Sequence, residues 1–435
     1  MTDHRRTDIE RYAGLYAQRA NKVKSSAMRD LMSITDRPEI ISLAGGLPDT
    51  TAFPPDVLES TLVTLSRTLS AEALQYGPTE GHLPLKRCII DVMAAEGVNV
   101  DPDDIIVTTG GQQVIDLVTR TFIDPGDTII AEAPTYPGAV PSFTSYEADV
   151  VQIDVDAHGM RVEELEPTLD RLEAEGRRPK FIYTIPTFQN PAGVTMSLSR
   201  RKRLVEIAQE RELLVLEDNP YSLLRYEGDP LPTLRSLDGG NFVMYLGTFS
   251  KILSPGIRIG WLEAPAPVLG KVNLGKQAAD LCTSSMTSYL VSTYFEQANW
   301  LDFVGSMTEL YRHRRDVMLA ALDRYFPKEA QWTRPSGGLF IWATLPEGIN
   351  TTDLLAKALS ENVAFVPGAA AYMDGRGTSS MRLNFSGVDD DQITEGVRRI
   401  GEVVDSQLSL LGDINLSGGI GESRSAPAQE TGDKA

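Results

Sequence analysis

Gly247-Thr248-Phe249-Ser250-Lys251-Ile252-Leu253-Ser254-Pro255-Gly256-Ile257-Arg258-Ile259-Gly260-Trp261 sets one lysine among hydroxyls, glycines and an arginine. A lysine amine attacks an aldehyde only after losing its proton near neutral pH, which desolvation and neighbouring positive charge encourage. Arg258 is the expected source of that charge. Thr248 and Ser250 carry hydroxyls that donate to phosphate oxygens, and the planar fork of Arg258 suits the same dianion. A lysine following a strand, here expected over residues 242–246, is ordinarily a solvated loop residue. Three phosphate-binding groups within one short segment make Lys251 instead a candidate Schiff-base lysine beside a bound phosphate.

The segment resembles the lysine motif of the fold-type I pyridoxal-phosphate enzymes, specifically the class I/II aminotransferases. The matching positions are Thr248, Ser250, Lys251, Pro255, Gly256, Arg258, Gly260 and Trp261. Within the group the chain is most similar to the branch holding 2-aminoadipate aminotransferase, kynurenine aminotransferase II and the aminotransferase-like domain of MocR-type regulators. The resemblance covers about residues 25–410, with its motifs in the family's order.

Moving outward, Leu213-Leu214-Val215-Leu216-Glu217-Asp218 is an apolar run ending in acid, as expected of a buried parallel strand that delivers a carboxylate at its C-terminal end. Asn219-Pro220-Tyr221 then turns the chain. An aspartate at a strand end is often a helix cap or turn former. The resemblance implies instead that Asp218 pairs with the protonated pyridine nitrogen, keeping the cofactor an electron sink, while Tyr221 hydrogen-bonds its phenolic oxygen. Phe181-Ile182-Tyr183-Thr184 reads as another short strand, followed by a proline- and glycine-punctuated loop. In that loop Asn190-Pro191-Ala192-Gly193 matches the family's Asn-Pro-x-Gly, which implies that Asn190 donates to the same phenolic oxygen.

Ile105-Ile106-Val107-Thr108-Thr109 is β-branched and apolar, and Gly110-Gly111-Gln112-Gln113 opens a helix with apolar positions at Val114, Ile115, Leu117, Val118 and Phe122. A glycine-rich helix start offers free backbone N–H groups and the positive end of the dipole to an anion. The spacing is neither a dinucleotide fingerprint nor a Walker loop. By resemblance Gly111 and Gln112 contact the phosphate, Gly111 through backbone alone. The resemblance further implies that Tyr136, in Ala133-Pro134-Thr135-Tyr136-Pro137-Gly138, stacks on the pyridine ring. It places Tyr76, in Gln75-Tyr76-Gly77-Pro78, at the phosphate of a neighbouring subunit, so a homodimer is expected. Ser380-Met381-Arg382-Leu383-Asn384-Phe385-Ser386 alternates like a strand, and its Arg-Leu-x-Phe context matches the arginine that binds a substrate α-carboxylate bidentately. Ser42-Leu43-Ala44-Gly45-Gly46-Leu47-Pro48 resembles a mobile segment that covers the substrate, where Gly46 lets backbone approach closely.

At 435 residues the chain exceeds what one core usually supports, so about two domains are expected. With 60 Asp+Glu against 41 Lys+Arg the formal net charge is −19, which argues against general binding to nucleic acid or acidic membranes. Two cysteines and four histidines offer neither a disulfide scaffold nor a convincing metal site. The N-terminus lacks the apolar core of a secretory signal and no run of about eighteen apolar residues occurs, so a cytoplasmic protein is expected.

The expected architecture is α/β, the pyridoxal-phosphate-dependent transferase fold: a doubly wound large domain over residues 53–300 and a smaller α+β domain over 301–411. Residues 1–52 join the small domain and cover the site. Residues 412–435, rich in Ser, Gly, Glu, Gln and Pro, are expected to form a disordered tail.

The resemblance implies transfer of the α-amino group of an amino acid to a 2-oxo acid, 2-oxoglutarate first among the acceptors. Lys251 is then both the cofactor's anchor and the general base. In the 2-aminoadipate branch an N-terminal arginine contacts a distal carboxylate, whereas Asn21-Lys22-Val23-Lys24 here carries Lys22. Apolar or aromatic donors are therefore the better expectation. Two alternatives stay open: another α-carbon reaction of the same fold in secondary metabolism, and a non-catalytic MocR-like ligand sensor. The second conflicts with the acidic charge and the short stretch ahead of Ser42.

Overall fold

The computed structural model describes residues 12–22, 31 and 37–418. An eight-stranded sheet forms its centre: β1 (Ile105–Thr108), β2 (Thr128–Ala133), β3 (Asp149–Asp156), β4 (Gly159–Met160), β5 (Phe181–Thr184), β6 (Leu214–Asp218), β7 (Val243–Thr248) and β8 (Gly260–Glu263). Their spatial order is β1-β8-β7-β6-β5-β2-β3-β4. The successive pairs β7-β6, β6-β5, β5-β2 and β2-β3 are parallel, and β2, β5 and β7 are buried along their whole length as strands covered on both faces should be. β8 runs against both β1 and β7.

Alternation along each strand splits the apolar side chains between two cores. Ile129, Phe181, Leu216 and Met244 pack on one face with Val114, Ile115 and Leu117 of helix α1 (Gly111–Phe122). Ile130, Ile182, Val215 and Val243 pack on the other with Leu204 and Ile207 of the helix Leu198–Glu210. Helices on both faces leave the C-terminal strand edge for ligands, and the ends of β2, β5, β6 and β7 meet there.

Helix α2 (Trp300–Tyr325) carries the chain to a four-stranded antiparallel sheet built from Gln331–Trp332, Phe340–Thr344, Ser380–Asn384 and Val366–Pro367. Ile41–Ser42 pairs in parallel with Val363–Ala364, stitching the N-terminal segment to this part of the molecule. The closing helix α3 (Asp390–Gly418) packs on α2 and continues past Gly412, where composition places the start of a tail. One glycine inside a helix costs only about 1 kcal/mol and does not end it. The rest of the expected tail, residues 419–435, lies outside the described residues, as do 23–30 beyond Lys22.

Candidate active site

A cavity of about 220 Å³ opens at the meeting point of these strand ends. β6 ends in two acids that alternation sends to opposite faces. Glu217 accepts the N–H groups of Leu234 and Arg235 at 2.9 and 2.8 Å, capping the short helix Leu234–Asp238. Asp218 lines the cavity. Its Oδ2 accepts a hydrogen bond from the hydroxyl of Tyr183, on β5, at 2.7 Å. Burial pushes the Asp218 carboxyl up to about 7, against the Tyr183 hydrogen bond and the charge of Lys251, which pull it down.

β7 delivers Thr248, whose Oγ1 accepts the Ser250 N–H at 3.1 Å and lies 3.0 Å from the Ile259 carbonyl. This folds the turn so that Ser250 and Lys251 face the same space. Lys251 Nζ donates to the Gly46 carbonyl at 2.5 Å. Crowding by protein lowers the Lys251 amine to about 8, helped by the positive charges of Arg382 and then Arg258 and opposed by Asp218. Arg258 is thus a lesser contributor to this acidity than the sequence suggests. Desolvation leads, and Arg382 comes from far along the chain.

Helix α1 starts at Gly111 with no side chain capping it. Gly110 has φ 79°, and a Cβ there would lie 2.5 Å from Arg258 Nη2. Arg258 itself sits in the left-handed region at φ 53° and keeps its guanidinium exposed against this helix start. Gln112 lines the cavity, but its Nε2 donates to the Gly138 carbonyl at 2.8 Å and to Ser142 Oγ at 3.0 Å. An anion at the helix start therefore meets the backbone N–H of Gln112 rather than its amide. Tyr136 also lines the cavity, and a Cβ on Gly138 would lie 2.3 Å from its Cζ, so the ring lies across that glycine.

Asn190 is held by a buried network. Glu132 accepts from Thr184 Oγ1 at 2.6 Å and from Gln189 Nε2 at 3.0 Å, and Gln189 Oε1 takes the Ala192 N–H at 2.7 Å. From this turn Asn190 Nδ2 donates to the Tyr221 hydroxyl at 3.3 Å, while its Oδ1 accepts from Arg382 Nη1 at 3.0 Å. Arg382 is 1% exposed, donates through Nη2 to the Ala44 carbonyl at 2.8 Å, and lies over the Phe340 ring at 4.4 Å. Its Nε is buried without a partner.

The cavity thus brings together Gly111, Gln112, Tyr136, Asn190, Asp218, Tyr221, Thr248, Ser250, Lys251 and Arg258. Arg382 and Gly46 adjoin it through Asn190 and Lys251. Tyr76 does not join them: within one chain it is 78% exposed and stands off the cavity. Sequence reasoning passed over Tyr183 and Phe340, both of which read as core aromatics. The register that pairs Tyr183 with Leu216 was the missing signal, because Asp218 follows Leu216 on the same face one pleat later.

Pyridoxal phosphate has a dianion, a pyridine nitrogen, a phenolic oxygen and an aldehyde, and these residues fit each part. The cradle at Gly110, which a Cβ would fill, adjoins an uncapped helix start, two hydroxyls and Arg258. Asp218, the Asn190–Tyr221 pair and Lys251 answer the other three. The orphaned Arg382 Nε leaves a donor for a carboxylate.

The chain belongs to the aminotransferases of class I and II, whose family model matches residues 38–400. It is a pyridoxal-phosphate-dependent aminotransferase. Among relatives, aromatic-amino-acid aminotransferase 1 of Thermococcus litoralis is 42% identical, the alignment covering 92% of this chain and 96% of that protein. The 2-aminoadipate transaminase of Thermus thermophilus is 38% identical over 91% of this chain and 98% of its own length. The crystal structure of Pyrococcus horikoshii kynurenine aminotransferase superposes with a TM-score of 0.87 at 41% identity, covering 92% of this chain and 98% of that one.

Proposed function

We propose that the enzyme moves the α-amino group of an apolar or aromatic amino acid to 2-oxoglutarate, with Lys251 as cofactor anchor and proton carrier. The observation that carries the assignment is the joint placement of Lys251 and Asp218 on one cavity, the amine lowered to about 8 and a carboxylate within its field. Bound pyridoxal phosphate supplies an aldehyde for the amine and a ring that accepts the electron pair released at the substrate's α-carbon. The chain's own residues do the rest. Arg382 takes the substrate carboxylate through its fork, which fixes the α-hydrogen toward Lys251. Lys251 Nζ, as a free amine, would remove that proton from the α-carbon as a general base and return it to the carbon that was the cofactor's aldehyde carbon. Asp218 would pair with the cofactor's ring nitrogen and Asn190 and Tyr221 would hold its phenolic oxygen, with Tyr136 against the ring and Gly46 shielding the site. The helix start at Gly111 and Gln112, with Thr248, Ser250 and Arg258, holds the phosphate.

The names of the relatives acting on aromatic amino acids and kynurenine support the choice of donor. A homodimer goes with this reading, with Tyr76 reaching the partner's phosphate. Exposed Leu58 and Leu62 on the helix Pro55–Thr68 and exposed Met286 on the neighbouring helix Ser285–Gln297 supply apolar surface for it. Unpaired Cys88 and Cys282 are in keeping with a cytoplasmic location. Among the described residues no helix is long and apolar enough to cross a membrane. The test is Lys251→Ala, expected to abolish both turnover and the visible absorbance of the lysine-linked cofactor. A panel of amino donors, scored by release of 2-oxo acid, reads the substrate, and sustained turnover without Lys251 defeats the assignment.

A further inference from the structure

We propose that Tyr183 is a positioning residue of the amino-transfer reaction: its hydroxyl ties down one carboxylate oxygen of Asp218 so that the other faces the cofactor's ring nitrogen. The inference rests on the role given above to Asp218. Tyr183 is 0% exposed and Asp218 5%, so water does not compete for their 2.7 Å hydrogen bond. A buried carboxylate needs donors to stay ionised. Among the described residues, Tyr183 is the hydrogen-bond donor to this one, taking Oδ2 and leaving Oδ1 for an occupant of the cavity.

The pairing of Tyr183 with Leu216 fixes the tyrosine's distance from Asp218 along the sheet, while Phe143 packs edge-on against its ring at 5.5 Å and 73° and takes no part in the hydrogen bond. The other charged and titratable groups bearing on Asp218 are Lys251 after β7, Glu132 at the end of β2, Tyr136 in the following loop and Tyr221 after β6. Lys251 leaves contact with the Gly46 carbonyl when it engages cofactor or substrate, so its help to the Asp218 charge varies through the cycle. The Tyr183 bond does not have to change at any step. Without it, the buried Asp218 favours the neutral acid, and a neutral acid does not hold a ring nitrogen protonated.

The test compares holoenzyme carrying Tyr183→Phe, Asp218→Asn or Phe143→Leu by kcat, KM, cofactor dissociation constant and the pH dependence of the visible absorbance. Tyr183→Phe is expected to lower kcat about tenfold with KM moving less than about twofold, to weaken cofactor binding about tenfold, and to displace the absorbance profile along the pH axis. Phe143→Leu, which loosens packing and keeps the hydroxyl, is expected to lower the melting temperature and leave the profile in place. Tyr183→Phe with wild-type kcat, cofactor affinity and profile, beside an Asp218→Asn that loses all three, overturns the inference alone. So does a Phe143→Leu that reproduces Tyr183→Phe. An Asp218→Asn that keeps cofactor binding and kcat removes the role of Asp218 and this inference with it. 3-Fluorotyrosine installed at Tyr183 keeps the shape, makes a stronger donor and serves if Tyr183→Phe does not fold. It is expected to displace the profile in the opposite direction, and an unmoved profile overturns the inference.

Discussion

Lys251 and Arg382 show how burial sets chemistry one side chain at a time. The lysine's reactivity depends on an amine held at about 8, chiefly by desolvation. Apoenzyme is therefore expected to capture pyridoxal phosphate with a rate that rises through about pH 8, where an ordinary lysine near 10.4 is still protonated. Stopped-flow absorbance against pH checks this, and a rise beginning only above about pH 10 contradicts it. Arg382 depends on planarity, since its fork spans Asn190 and the Ala44 carbonyl while its face rests on Phe340. Arg382→Lys keeps the charge and loses the fork. A fall in kcat/KM of about a hundredfold, carried largely by KM with cofactor absorbance intact, is the expected result in steady-state assays.

At the scale of elements, the helix start at Gly111 is the part most dependent on a missing side chain. Gly110→Ala places a methyl 2.5 Å from Arg258 Nη2 at a φ of 79° that L residues rarely adopt. The loop and Arg258 must both shift, and cofactor affinity is expected to fall at least about tenfold. Equilibrium dialysis measures this, with inorganic phosphate as a competing probe of the same cup. Legibility differs from element to element for physical reasons. β6 announced itself because an apolar run ending in acid needs a reason to bury charge. The reversed direction of β8 left no such trace, since antiparallel and parallel neighbours both accept Gly260-Trp261-Leu262-Glu263. Asn190, Asp218, Tyr221 and Lys251 were readable because short motifs carry their own turns. Tyr183 and Phe340 were not, because an aromatic inside an apolar strand looks the same whether or not its far end meets a functional group. The Glu132–Gln189 support of Asn190 is legible only once β2 and β5 are paired.

The whole molecule joins a buried acidic site to a strongly acidic surface, and its pH response follows from both. Burial pushes Asp218 and Glu132 up to about 7, so between about pH 4 and 7 the folded chain binds more protons at these sites than the unfolded one. Their contribution to stability is present on the acid side and is lost as pH rises through 7. A formal net charge of −19 at pH 7 adds self-repulsion of the same sign. Glu395, drawn down to about 2 by hydrogen bonds from Arg398 and Arg399, works the other way: its contribution is present above about 4.5 and is lost on further acidification. Lys251, lowered to about 8, regains stability for the folded state only between about pH 8 and 10.5. The melting temperature of the apoenzyme is therefore expected to peak near about pH 4.5 and to fall from there to about pH 7, beyond which these two carboxyls add no further slope. Glu132→Gln should shallow that fall. Cofactor should shallow it further, because a protonated ring nitrogen against Asp218 stabilises the carboxylate that burial opposes. Calorimetric scans of apo and holo protein from about pH 4 to 8 decide the matter: a holo profile parallel to the apo profile would show that Asp218 does not meet the ring.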